Sequence, residues 1–351
     1  MESKRIEWVD VCRGLAILAI FIGHVGNTDI VTTFVFRYHI PLFFFLSGFF
    51  YNKRRILSIK EYLVECFKGT LIPYIFFCSL GIVFYIVTQG SPLVIAKTYL
   101  KQAFFGIRIH IDFGGQLWFF TCLFSIQILY YLLNRIIKKK VLLVIITLIS
   151  ALLSAVILKM PNVPSVFFNI DSALYYTLFY CVGDIVYPKI ENLALFNKNL
   201  LHKRIIQLLC IIILMFTFYV YGKYQNFDVM LMKIAYIMPF DILITYAFQF
   251  FTIFVTFILI AANIIVSFAL RQSKFLLNIG KNTLILCGLE SISVIIVYSI
   301  LSFLGINVKT DIILYKVIIV VLKVGIIKIV FFDLFNKYLP WVIGRKRTTE
   351  L

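Results

Sequence analysis

Between Val141 and Leu158 eighteen residues pass without a charge, and stretches of this kind recur along the chain. A helix needs about 20 apolar residues to cross the ~30 Å hydrocarbon core of a bilayer. The composition leaves no other place for them. Of 351 residues, 62% are hydrophobic, 14% are charged and 37 are Phe, against roughly 45–50% apolar in ordinary soluble domains. Surface-to-volume scaling gives a soluble fold too little interior to hide that much apolar surface. A soluble enzyme, a disordered chain and a disulfide scaffold are excluded. Barrel strands would run about ten residues with strict alternation, whereas these runs are longer and continuous. The expected fold class is an all-α integral membrane protein.

Ten transmembrane helices are expected, near residues 9–25, 35–51, 71–88, 116–133, 141–158, 172–187, 205–222, 248–268, 282–302 and 312–332. The stretch 236–270 exceeds one span, and its first part, Tyr236–Ala247 with Pro239 and Asp241, is expected as an interfacial or re-entrant piece. Of 34 Lys and Arg, 23 fall on the side holding the N-terminus and 9 on the other (Lys316 among them), with Lys323 and Lys328 inside the last span. That alternation predicts N-in and C-in. The net charge of +18 then belongs to cytoplasmic loops rather than to a nucleic-acid surface. The longest outer loop, 89–115, is rich in Gly with an amphipathic middle. Seven scattered Cys with no CxxC pair read as small core residues. The opening segment lacks a small-x-small cleavage site and carries Arg13 and His24, which a signal peptide does not need. No internal repeat stands out, and residues 1–351 are expected to form a single membrane domain with no appended soluble domain.

Ionisable residues inside spans are costly and mark function by default. The first span is the richest, with Glu7, Asp10, Arg13 and His24. Asp10 and Arg13, three apart, pair on one helical face. Arg13 and His24, eleven apart, return to within about 20° of the same face and stand about 16 Å apart along the axis. An Arg at the cytoplasmic mouth suits bidentate, charge-assisted bonds to phosphate. A buried, neutral His deeper in suits taking a proton from a hydroxyl. The spacing serves equally an Arg13 that snorkels and a His24 that merely ends its helix. In the second span Pro41 frees backbone carbonyls and Ser47–Gly48 permits close helix approach. Arg37 and His39 stand at its outer end, where such residues also act as anchors. Glu290 is the acid of the ninth span, and Lys323 in the tenth is its candidate partner. Trp118 reads as a wall of a substrate channel or as an interfacial Trp, and Asp184 and Asp241 as supporting or structural. The His110-x-Asp112 pair offers two ligands without a third, so no metal is expected.

The residues W8-V-D10-x-x-R13-G-L-A-I-x10-H24, followed by Y38-H39-I-P41-L-F-F-F-L-S47-G48-F-F, resemble the opening of the membrane acyltransferase 3 family. The branch most similar is that of the fucose 4-O-acetylase-like sugar O-acetyltransferases. K68-G-T-L-I-P73-Y74, L117-W118-F119-F120 and I279-G280-K281-N282-T283-L284 resemble later family segments in the same order, from about residue 5 to 335. The family's Arg/Lys-x10-His motif falls on Arg13 and His24, and its second-span His on His39. Two departures stand out. Where many members carry paired arginines before the third span, this chain has Lys68 followed by Gly69, Thr70 and Leu71, with Lys53, Arg54 and Arg55 nearby in sequence. Where many members carry a His after the Gly-Lys-Asn segment, this chain has Glu290.

The resemblance implies transfer of an acyl group, most simply acetyl from cytoplasmic acetyl-CoA, to a hydroxyl of a surface polysaccharide or its lipid-linked sugar precursor. Acetyl-CoA enters as donor substrate, with no bound cofactor. On this reading Arg13, Lys68, Lys53, Arg54 and Arg55 hold the donor phosphates. His24 is the base, and His39 polarises the carbonyl or steadies the oxyanion. Direct transfer is the simplest version, an acyl-His intermediate the alternative. Asp10 orients Arg13, and Trp118 and Glu290 lie on the acceptor side. The implied setting is a multi-pass protein of a bacterial plasma (inner) membrane, meeting lipid and polysaccharide-assembly proteins but no nucleic acid. The rival class is a transporter or flippase for a glycan or lipid-linked intermediate, against which stands the absence of two similar halves.

Overall fold

The computed structural model describes residues 6–26, 30–89, 93–157, 166–192, 200–223, 241–306 and 312–345. It is 86% helix, with no strand among the described residues. In chain order the helices are α1 (Glu7–Gly23), α2 (Ile30–Phe36), α3 (His39–Gly48), α4 (Tyr51–Arg54) and α5 (Ile59–Cys66). There follow α6 (Ile72–Gln89), α7 (Leu93–Phe105), α8 (Trp118–Ile136), α9 (Lys140–Ile157) and α10 (Ile170–Asn192). The last are α11 (Leu200–Lys223), α12 (Asp241–Ala269), α13 (Lys274–Lys281), α14 (Thr283–Phe303) and α15 (Ile313–Ile326). Each expected span overlaps one of them. Five segments are long and apolar enough to cross a membrane: Ile30–Arg54, Ile59–Thr88, Gly115–Ile136, Thr245–Ala269 and Thr283–Phe303. The amphipathic middle of the outer loop is the helix α7. Of the stretch expected as an interfacial or re-entrant piece, residues 241–247 belong to α12, which runs unbroken from Asp241. Its 29 residues span about 43 Å, an excess over the bilayer core that tilt or protrusion absorbs. Residues 236–240, with Pro239, lie outside the described residues.

The chain packs as two compact units. The first holds residues 1–50, 155–157 and 179–283, and its best-packed helix is α1. A Cβ at Gly14 would lie 2.6 Å from the carbonyl oxygen of Leu276, and one at Gly280 would land on the carbonyl of Asp10. Glycine at both positions lets the backbones of α1 and α13 touch. Ser273 caps α13 by accepting the Leu276 N–H at 3.4 Å. Trp8 stacks on Phe268 with centroids 4.5 Å apart. Helix α3 seats against the later part of α10 in the same manner: a Cβ at Gly48 would strike the Tyr180 carbonyl, and one at Gly183 the Phe45 carbonyl. The close approach expected at Ser47–Gly48 is therefore present. Pro41 falls in the first turn of α3, where its missing N–H costs no helical bond; the Thr256 hydroxyl, 2.8 Å from its own Thr252 carbonyl, also stands 3.3 Å from the Arg37 carbonyl.

The second unit holds residues 51–154, 158–178 and 284–351. Helix α5 opens on a capping box, Ser58 and Glu61 satisfying each other's backbone N–H. It runs into a π-helical turn, Phe67–Leu71, which hands over to α6. Pro73 cannot donate to Gly69, and the turn widens so that the Ile72 N–H reaches Phe67 instead. Asn169, fully buried with φ of 51°, accepts the Arg108 N–H at 2.9 Å and donates to the Gly106 carbonyl at 2.7 Å and to Thr121 Oγ1 at 2.9 Å. It ties the outer loop to the start of α8. Six of the seven cysteines are buried and Cys287 is half-buried, in keeping with core packing. The glycine contacts make a prediction. Gly280→Ala destabilises the detergent-solubilised protein by about 1–3 kcal/mol through overpacking. Gly325→Ala, where a Cβ meets nothing within 4 Å, leaves the melting temperature unchanged or raised.

Candidate active site

In the first unit α1 carries the two residues that the eleven-residue spacing placed on one stripe. Arg13 is part-exposed and pairs with the buried Asp10, Nη1 to Oδ1 at 3.8 Å, as expected. Its guanidinium also lies over the Phe50 ring at 4.9 Å. Asp10 is thus an orienting anion whose own backbone is clamped by Gly280. His24 stands at the C-cap of α1, its N–H returning to Ile20 and Ile22. It is exposed rather than buried, because the helix ends at Gly23 and the residue after it leaves the packed surface.

His39 is the buried histidine, 1% exposed. It opens α3, with Nδ1 2.5 Å from the Val35 carbonyl oxygen. Donation of Nδ1–H to that carbonyl places the ring's lone pair on Nε2. Phe36 joins the two imidazoles, its ring 6.0 Å from His24 and 5.1 Å from His39. Residues on two different spans are thereby gathered around one aromatic ring.

The second unit carries the remaining candidates. Lys53 and Lys68 are exposed, Arg54 and Arg55 half-buried. The Arg54 guanidinium meets Glu65 at 3.3 Å and lies 4.0 Å from where a Gly69 Cβ would be. The π-turn so brings the Lys68–Gly69 segment beside the Lys53–Arg55 cluster. Arg55 packs over Tyr51 at 5.6 Å. Trp118 is 5% exposed beneath the Arg108 guanidinium, which lies 4.9 Å from its ring. Glu290 forms an ion pair with Lys323, as the sequence suggested, in a setting that leaves them 4% and 0% exposed. Lys316, tallied with the outer loops, is instead buried in α15. It sits seven residues before Lys323 and so on nearly the same face. Asp112 is held by Gln102 through two hydrogen bonds, of 2.6 and 3.2 Å. Asp184 is buried in α10. The side chain of Asp241 lies outside the described residues.

Sequence reading missed the Gln116–Ser291 hydrogen bond of 2.6 Å and the Asn169 clamp. The positional signals were the Gly114–Gly115 pair before α8 and the step from Glu290 to Ser291.

A family model for acyltransferase 3, described as an acyltransferase domain, matches residues 6–330. The chain belongs to that acyltransferase family. No curated protein and no solved structure matches it. The match covers α1, which carries Arg13 and His24, and runs through both units. The protein is an acyltransferase, and its apolar helices make it a multi-pass membrane protein. Within this acyltransferase the buried Glu290–Lys323 pair sets a clear expectation. Lys323→Met takes away the cation paired with this buried carboxylate and costs about 3–5 kcal/mol. Adding Glu290→Gln to it restores most of that loss in thermal melts of the solubilised protein.

Proposed function

We propose that this acyltransferase is a sugar O-acetyltransferase of the fucose 4-O-acetylase-like branch. It moves acetyl from cytoplasmic acetyl-CoA to a hydroxyl of a surface polysaccharide or its lipid-linked precursor. The observation that carries the reading is the α1 stripe, with a cation near one end and an accessible imidazole at the other. A base has to reach the substrate, and of the two histidines His24 is the exposed one. His24 takes the hydroxyl proton as the sugar oxygen adds to the thioester carbonyl carbon. The C–S bond then breaks, the acetyl stays on the sugar oxygen, and the proton passes to the coenzyme A thiolate. His39, tied to Val35, fixes the ring wall of Phe36 beside that base and is a positioning residue. Arg13, braced by Asp10, binds donor phosphate. Within the second unit the exposed Lys53 and Lys68, with the half-buried Arg54 and Arg55, form a separate basic cluster suited to phosphate. Ten crossings with both termini in the cytoplasm of a bacterial cell fit the distribution of Lys and Arg.

A transporter for a glycan intermediate remains the competing class, and one assay separates them. Purified protein is given labelled acetyl-CoA and candidate glycans, and label is followed into the glycan. Arg13→Ala is expected to raise the KM for acetyl-CoA about tenfold or more, the weight of one charge-assisted bond. His24→Ala lowers kcat with that KM little changed. Label that never reaches any glycan, while vesicles holding the protein move the glycan, overturns the proposal.

A further inference from the structure

The second unit holds a buried polar cluster that the donor side of the reaction does not use. Gln116 sits in the short 3-10 turn Gly115–Leu117 ahead of α8 and is 7% exposed. Its Oε1 accepts the Ser291 hydroxyl at 2.6 Å, while its Nε2 is buried with no hydrogen-bond partner. Turning the amide over moves the deficit to the oxygen and does not remove it, since Ser291 serves one end only. A buried orphan amide is costly, and it makes sense where a ligand completes it. Beside Ser291 on α14 stands Glu290, paired with Lys323. Tyr85 lies within electrostatic reach of Tyr99, Asp112 and Glu290. Asp112 is exposed and Tyr85 half-buried.

We propose that Gln116, Ser291 and Glu290 form a subsite for one sugar unit of the acceptor. This rests on the sugar-acetyltransferase reading and adds where the sugar is held. Vicinal hydroxyls each donate and accept. The orphan amide end, the serine hydroxyl and the carboxylate answer both demands, and tyrosine rings offer a face for the apolar side of a pyranose. Glu290, held by Lys323, offers its carboxylate oxygens to sugar hydroxyls and takes no part in the transfer itself.

The test uses the full chain in detergent with Trp8→Phe and Trp341→Phe, so that Trp118, two residues from Gln116, reports alone. Methyl glycosides of a hexose, an N-acetylhexosamine and a hexuronic acid are titrated as probes. At least one is expected to give a saturable fluorescence change, weakened about tenfold by Gln116→Leu. The melting temperature of Gln116→Leu is expected to hold or rise, because the orphan group is gone. Ser291→Ala, which frees the amide from its tether, weakens the same probe and guards against a folding artefact in the first variant. Failure of all three probes, or equal binding by the Gln116→Leu protein, overturns the subsite. Probe binding without acetyl transfer keeps the subsite and removes the transferase reading. Transfer with an acceptor KM unmoved by Gln116→Leu does the reverse.

Discussion

The first unit depends on two backbones touching. Helix α1 meets α13 where Gly14 faces the Leu276 carbonyl and Gly280 faces the carbonyl of Asp10. In lipid there is no hydrophobic force between helices, and close van der Waals packing of small residues takes its place. That contact fixes the height and rotation of α1. From it follow the position of Asp10, the direction in which Arg13 is braced, and the place where His24 leaves the helix. The Gly-Lys-Asn segment distant in sequence thus positions the helix that carries Arg13 and His24.

The second span is governed by a different constraint. The helix breaks between Phe36 and His39, and Pro41 is accommodated in the first turn of α3. The Val35 carbonyl accepts from the Tyr38 N–H and the His39 ring, and the Thr256 hydroxyl of α12 stands 3.3 Å from the Arg37 carbonyl. In an apolar solvent unsatisfied carbonyls are expensive, and these contacts cover the break. The outcome is a histidine held rigidly beside Phe36, with His24 on the other side of that ring.

Much of this was legible in the sequence because it is local or periodic. Apolar runs announce helices, and three-residue spacing announces the Asp10–Arg13 pair. A lone acid on one helix and lysines on the next announce the Glu290–Lys323 pair. Gly48 and Pro41 carry their meaning through backbone chemistry alone. What was not legible is set by partners far along the chain. Gln116 and Ser291 are separated by 175 residues, and nothing near either one names the other. The exposure of His24 depends on where α1 stops, which residue types around it do not fix. Lys316 was readable, since its seven-residue offset from Lys323 puts both on one face, yet a charge tally by loops assigns it to the wrong environment.

The central claim is that this protein adds an acyl group to a glycan by means of His24. Mass spectrometry of surface glycans from cells making the native chain, His24→Ala or no chain measures it most directly. The account predicts glycans heavier by one acetyl group per modified unit with the native chain alone, with the variant present in the membrane at native abundance. Glycans of identical mass in all three, or full acetylation with His24→Ala, would contradict it.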